Sequence, residues 1–136
     1  MITAVDSSVL LDVFGADPAH MIRSRAMLRR CASEGALVAC EIVWAEVAAH
    51  FPSPTDAHDA LEEMGLTFAP IEPDAALEAG QRWRVHRRTG GGRARIVADF
   101  LVGAHARNQA DRLLTRDRGF YRACFEGLAV LDPSMA

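Results

Sequence analysis

Five short apolar runs frame this chain: Ile2-Thr3-Ala4-Val5, Leu37-Val38-Ala39, Leu66-Thr67-Phe68, Leu113-Leu114 and Leu128-Ala129-Val130-Leu131. Each is too brief for a helix and suits a strand buried in a sheet. Longer stretches with helical spacing lie between them. These are Val9 to Phe14, Ala19 to Ser33 ending near Gly35, and Glu41 to His50, stopped by Pro52. Ser53-Pro54-Thr55-Asp56 caps a further helix through Met64 to Gly65, Pro73 opens one reaching Thr89, and an apolar helix begins at Ile96. Arg107 to Asp111 reads as a polar break, and Gly119 as a turn directly after Thr115-Arg116-Asp117. Strands that alternate with helices are joined by crossovers and run parallel. The expectation is a layered α/β fold around a parallel sheet of about four to five strands.

The 136 residues contain no repeat, low-complexity tract or linker, so 1–136 reads as a single domain. No apolar run is long enough to span a bilayer, and no basic-then-apolar leader opens the chain. No membrane role and a cytoplasmic location are therefore expected. Cys31, Cys40 and Cys124 are odd in number and widely spaced, which fits reduced thiols in such a compartment.

The acids carry the chemistry. Asp99 is surrounded by Ile96, Val97, Phe100, Leu101 and Val102. A carboxylate there needs a partner, a proton or a metal. Asp6 ends the first strand; taken alone it reads as the N-cap of the helix that follows. Glu41 and Glu46 lie five residues apart and point to different sides of one helix, so only one of them can join Asp6 and Asp99. Glu41 falls in the first turn, where the helix dipole favours a carboxylate. Glu46, among Ala45, Val47, Ile42 and Val43, is the better site candidate. Asp117 follows the fourth strand, and the C-terminal ends of parallel strands are where open-sheet sites form. Together these hard oxygen donors suit Mg²⁺ or Mn²⁺ rather than zinc.

Other acid-rich α/β sites fail on what they lack. The chain has no lysine, which removes a phosphate-binding G-K-[ST] loop and the late lysine of a phosphoacceptor domain. Ser8 stands where a D-x-D phosphatase would need its second acid, and a D-x-E exonuclease signature is missing from the first strand. No serine or cysteine sits in a G-x-S-x-G turn, and the histidines form no E-x-x-H or H-x-x-x-H pair.

The succession V-D-S-S-V-L-L-D, W-A-E-V, D-F-L-V-G-A-H-A and L-L-T-R-D-R-G-F resembles the PIN-domain ribonucleases. More narrowly it resembles the VapC toxins of bacterial type II toxin–antitoxin pairs. That resemblance spans the whole chain and implies a PIN-like three-layer α/β/α fold. By matching positions it implies that Asp6, Glu46, Asp99 and Asp117 are the catalytic, metal-holding acids, with Thr115 and Ser7 in support. It further implies Mg²⁺-dependent endoribonuclease activity (Mn²⁺ being the other candidate ion), in-line hydrolysis leaving a 5′-phosphate and a 3′-hydroxyl, a cognate VapB-like antitoxin, and a homodimer. The alternative is a PIN-like RNA- or protein-binding regulatory module with little or no catalysis; the presence of all four acids argues against it.

The net charge of −3 is unusual for an RNA-binding surface, but all 15 basic residues are arginine. Six fall between Arg82 and Arg95, around Trp83. Arg84, Arg87, Arg88, Arg93 and Arg95 are candidate RNA contacts, set against the plain reading of the run as a solvated helix face. Trp83 offers a stacking surface, although core packing is the ordinary fate of a single Trp.

Overall fold

The computed structural model describes residues 1–90 and 97–135. In order, these form β1 (Ile2–Val5), α1 (Ser7–Phe14), α2 (Met21–Glu34), β2 (Ala36–Ala39), α3 (Glu41–Ala48), α4 (Pro54–Glu63) and β3 (Leu66–Phe68). They continue as α5 (Pro73–Arg88), α6 (Val97–Gln109), β4 (Arg112–Leu114), α7 (Arg118–Cys124), β5 (Val130–Leu131) and a 3₁₀ turn at Pro133–Met135. The start of the central helix at Ile96, together with Arg93 and Arg95, lies outside the described residues.

The five strands pair in the order β3-β2-β1-β4-β5, all parallel. The chain steps outward from β1 through β2 to β3, then crosses back to enter β4 on the other side of β1. Right-handed crossovers then place α1 to α4 on one face and α5 to α7 on the other, giving the expected three layers. α1 packs on α2 and α3, and α5 packs on α6, while α3 also touches α6. Across the second face, Phe100 of α6 meets Phe120 of α7 at 5.3 Å and His86 of α5 at 5.3 Å. The strands are sealed by both layers, with Val5, Leu113 and Leu114 almost wholly buried.

Three local expectations are corrected. Arg107, Asn108 and Gln109 do not break the chain but continue α6. Tertiary partners hold this turn wound: Arg107 pairs with Glu78 at 2.6 Å, and Gln109 donates to the Pro70 carbonyl and accepts from the Glu72 N–H, both at 2.8 Å. Gly119 is not a turn after Asp117 but lies inside α7. Burial of Tyr121, and of Phe125 just beyond the helix, outweighs the weak helix propensity of one glycine. The last strand is also shorter than the apolar run, beginning at Val130.

All three cysteines are free thiols, two of them buried. Among the described residues, no helix is long and apolar enough to cross a membrane.

Two helical glycines separate packing from propensity. A Cβ at Gly103 would lie 2.4 Å from the buried Phe125 ring, whereas one at Gly80 would meet nothing within 4 Å. Gly103→Ala should therefore cost about 1–3 kcal/mol through overpacking. Gly80→Ala, in an exposed helix interior, should gain about 0.5–1 kcal/mol. Denaturant melts of the two variants test this, and equal effects would contradict the α6–Phe125 packing.

Candidate active site

Because β4 pairs with β1 in the register Val5↔Leu114, the next residues, Asp6 and Thr115, emerge side by side at the C-terminal edge of the sheet. This is the point where strand order reverses, and the crevice left there is where open α/β sheets bind ligands. The Asp6 N–H still donates to the Leu114 carbonyl at 2.9 Å, extending the ladder by one bond.

Asp6 proves to be both N-cap and site candidate. Its Oδ1 accepts from the Ser7 N–H at 2.8 Å, capping α1. Its Oδ2 accepts from the Thr115 hydroxyl at 2.7 Å and the Ser8 hydroxyl at 3.3 Å. The Thr115 hydroxyl in turn accepts from the Asp117 N–H at 2.9 Å, so one oxygen joins the segments carrying the two aspartates. The Ser7 hydroxyl donates to Glu46 Oε1 at 3.2 Å, bringing α3 to the same edge. Asp99 sits half-buried in the first turn of α6, not enclosed by its apolar neighbours as its surroundings in sequence suggest. Phe100 and Val102 of the same helix take the buried positions.

The electrostatics tie three of these acids together. Burial pushes the Asp6 carboxyl above its ordinary value; hydrogen bonds from Thr115, Ser7 and Ser8 oppose the shift, and the charge of Asp99 adds to it. Burial also raises Glu46, with Ser7 opposing and Asp6 and Asp99 adding. The donor set is all oxygen and mutually repulsive, which is the chemistry a hard divalent cation relieves. Among the described residues, however, no three of these four acids bring ligand atoms within 4.8 Å of one another. The group that does is His58, Asp59 and Glu62, exposed on one turn of α4, where it reads as ordinary helix-surface pairing.

Glu41 is in the first turn of α3 as expected, but its Oε1 also accepts from the Ile71 N–H at 2.9 Å and so anchors the segment after β3. Of the arginine run, Arg84, Arg87 and Arg88 are exposed on α5. Arg87 covers the half-buried Trp83 ring at 4.4 Å, so that face of the indole is already taken. Arg82 is structural, donating to the Cys124 carbonyl at 2.8 Å and lying over the Phe125 ring.

Sequence reasoning passed over Ser8, Asp12, Ser24 and Arg116. Arg116 Nε donates to Asp12 Oδ2 at 2.8 Å, and the Arg116 N–H donates to the Ser8 hydroxyl at 3.3 Å. The signal was available for Asp12, an acid inside the apolar run Val9 to Phe14, by the argument that singled out Asp99.

Residues 3–126 match the family described as PIN domain. No curated protein matches the chain. Among solved structures, the chain is similar to VapBC-1 from nontypeable Haemophilus influenzae, at 16% identity and a TM-score of 0.75, over 98% of this chain and 99% of that one. It is similar to VapBC2 from Rickettsia felis, bound to a promoter DNA fragment, at 17% identity and a TM-score of 0.74, over 97% and 98%. It is also similar to VapC20 of Mycobacterium tuberculosis, a sarcin–ricin loop cleaving toxin, at 17% identity and a TM-score of 0.63, over 93% and 98%.

The raised carboxyls give stability a direction with pH. Between the ordinary carboxylate range and their raised values, Asp6 and Glu46 hold protons that the unfolded chain has released. Their contribution to stability therefore falls as pH rises through that window. Glu34, hydrogen-bonded by Arg112, acts oppositely: its carboxyl is held low, and its contribution is lost as pH falls. Melts in EDTA should show Tm rising as pH drops from neutral, then falling at the acid end. Glu46→Gln should flatten the rise and leave Tm at neutral pH unchanged or higher; a clear loss there would mark Glu46 as a satisfied structural group.

Proposed function

Since the chain belongs to the PIN domain family, we propose that it is a Mg²⁺-dependent endoribonuclease and the toxin of a VapBC-type toxin–antitoxin module, Mn²⁺ being the other candidate ion. The observation that carries the reading is the convergence at the β1/β4 switch point. Asp6 is bonded there to Thr115, and it shares its electrostatic field with Glu46 and Asp99. The fold neighbours add the partner and substrate class: two are VapBC assemblies and one is a toxin that cleaves the sarcin–ricin loop.

In this reading Asp6, Glu46, Asp99 and Asp117 hold the cation. When bound, Mg²⁺ supplies Lewis-acid stabilisation of phosphoryl charge and lowers the pKa of a water. The protein's own work is orientation. Thr115 and Ser8 hold one Asp6 oxygen and the Ser7 N–H the other, on which a lone pair remains for the ion. The Ser7 hydroxyl sets the Glu46 carboxylate. None of the acids needs to act as a tuned base. Arg84, Arg87 and Arg88, with Arg93 and Arg95, are the residues we assign to RNA phosphates. A VapB-like antitoxin, through a basic side chain set among the acids, would hold the toxin inactive, and two copies of the chain would form the working toxin.

Antitoxin-free protein should cleave structured RNA with Mg²⁺ or Mn²⁺ and stop on chelation. Asp99→Asn should abolish cleavage, and Thr115→Val should lower it about 10- to 100-fold with the fold retained. Cleavage that persists in excess EDTA, or full activity in Asp99→Asn, would defeat this mechanism. Co-expression with the product of an adjacent small gene should rescue growth. Toxicity that no such product relieves would remove the toxin–antitoxin part of the proposal.

A further inference from the structure

The least exposed carboxylate near the sheet edge is not one of the four proposed ligands. Asp12, in the middle of α1, is 2% exposed. Its Oδ2 accepts two bonds, one from the Ser24 hydroxyl of α2 at 2.6 Å and one from Arg116 Nε at 2.8 Å. An ion pair that takes its carboxylate out of water contributes little net stability beside a well-packed apolar substitute, whereas its geometry is specific. What this pair specifies is the position of one short loop. Arg116 stands between Thr115 and Asp117, and its two attachments both lead to α1.

The stitching is systematic along that helix. Asp6, at its cap, takes the Thr115 hydroxyl. Ser8, in its first turn, takes the Arg116 N–H while its own hydroxyl donates to Asp6. Asp12, farther along α1, takes the Arg116 side chain. The strand ladder ends at the bond from the Thr115 N–H to the Leu131 carbonyl, 3.0 Å, and beyond it the N–H groups of residues 116 and 117 both donate to side-chain hydroxyls, those of Ser8 and Thr115. We propose that Asp12, held by Ser24, is a positioning residue for the reaction. Through the Arg116 guanidinium it locks the Thr115–Asp117 loop in the geometry that sets Asp117 and Thr115 against Asp6. This rests on the nuclease reading above, but its structural half can be measured without activity.

The experiment compares wild type, Arg116→Met, Arg116→Lys, Asp12→Asn and the double variant Asp12→Asn/Arg116→Met, with Arg30→Met as an exposed control. Arg116 is the milder handle because its side chain is 36% exposed, against 3% for Asp12. Two readouts are taken: amide hydrogen exchange, and steady-state cleavage of a structured RNA with Mg²⁺ saturating. In Arg116→Met the Arg116 and Asp117 amides should lose protection, while those of β1 and β4 keep theirs and Tm falls by no more than about 5 °C. The kcat should drop about tenfold or more with KM for RNA little changed. Arg116→Lys should recover part of it. The double variant should be no worse than the poorer single one, as expected of residues acting through one contact. Unchanged exchange at Arg116 and Asp117, an unchanged kcat in folded Arg116→Met, or additive losses in the double variant would each overturn the proposal. If wild type cleaves no RNA, the nuclease reading fails instead, and the exchange result still decides whether Asp12 and Arg116 hold the loop.

Discussion

A single hydroxyl joins the two strand-end segments that carry Asp6 and Asp117. Thr115 donates to Asp6 at 2.7 Å across a sequence separation of 109 residues and accepts from the Asp117 N–H. It can do so only because β4 lies directly beside β1, in a register that sets Thr115 opposite Asp6. The order β3-β2-β1-β4-β5 is therefore a condition of the candidate site as well as of the fold. Any other neighbour for β1 would leave Asp6 a plain helix cap.

The convergence has an electrostatic cost. Asp6 and Glu46 are both raised by burial and by the charges around them. The fold tolerates this because hydrogen-bond donors are spent on the charged form: Thr115, Ser7 and Ser8 on Asp6, and Ser7 on Glu46. Strained groups of this kind persist where the surrounding structure over-determines them. Here the surroundings are a buried sheet edge and a loop tied down by Asp12 and Arg116.

Arginine serves mainly as an internal fastener in the contacts that can be traced. Arg82 bridges Glu78 and the Cys124 carbonyl, Arg107 links Glu78 to the Glu126 carbonyl, and Arg112 crosses from the Thr3 hydroxyl to Glu34. The planar, multi-donor guanidinium suits such two-point contacts better than an ammonium would. A count of arginines is thus a poor guide to an RNA face.

Periodicity and capping are local, and what they govern was legible in the residues. The five apolar runs, the Ser53 cap with Pro54 behind it, and Gly65 after the helix act within a few positions, so elements, parallel sheet and layer class followed from them. Asp6, Glu46, Asp99 and Asp117 stood out for the same reason, each an acid in apolar surroundings or at a strand end. What lay beyond reach depended on contacts between distant segments. Pairing with Glu78 and the Pro70–Glu72 stretch kept Arg107 to Gln109 helical, aromatic burial wound Gly119 into α7, and the meeting of Asp12 with Arg116 spans 104 residues. Residue types and their spacing act locally; only the strand order and register, set by burial of the whole sheet, decided which side chains meet.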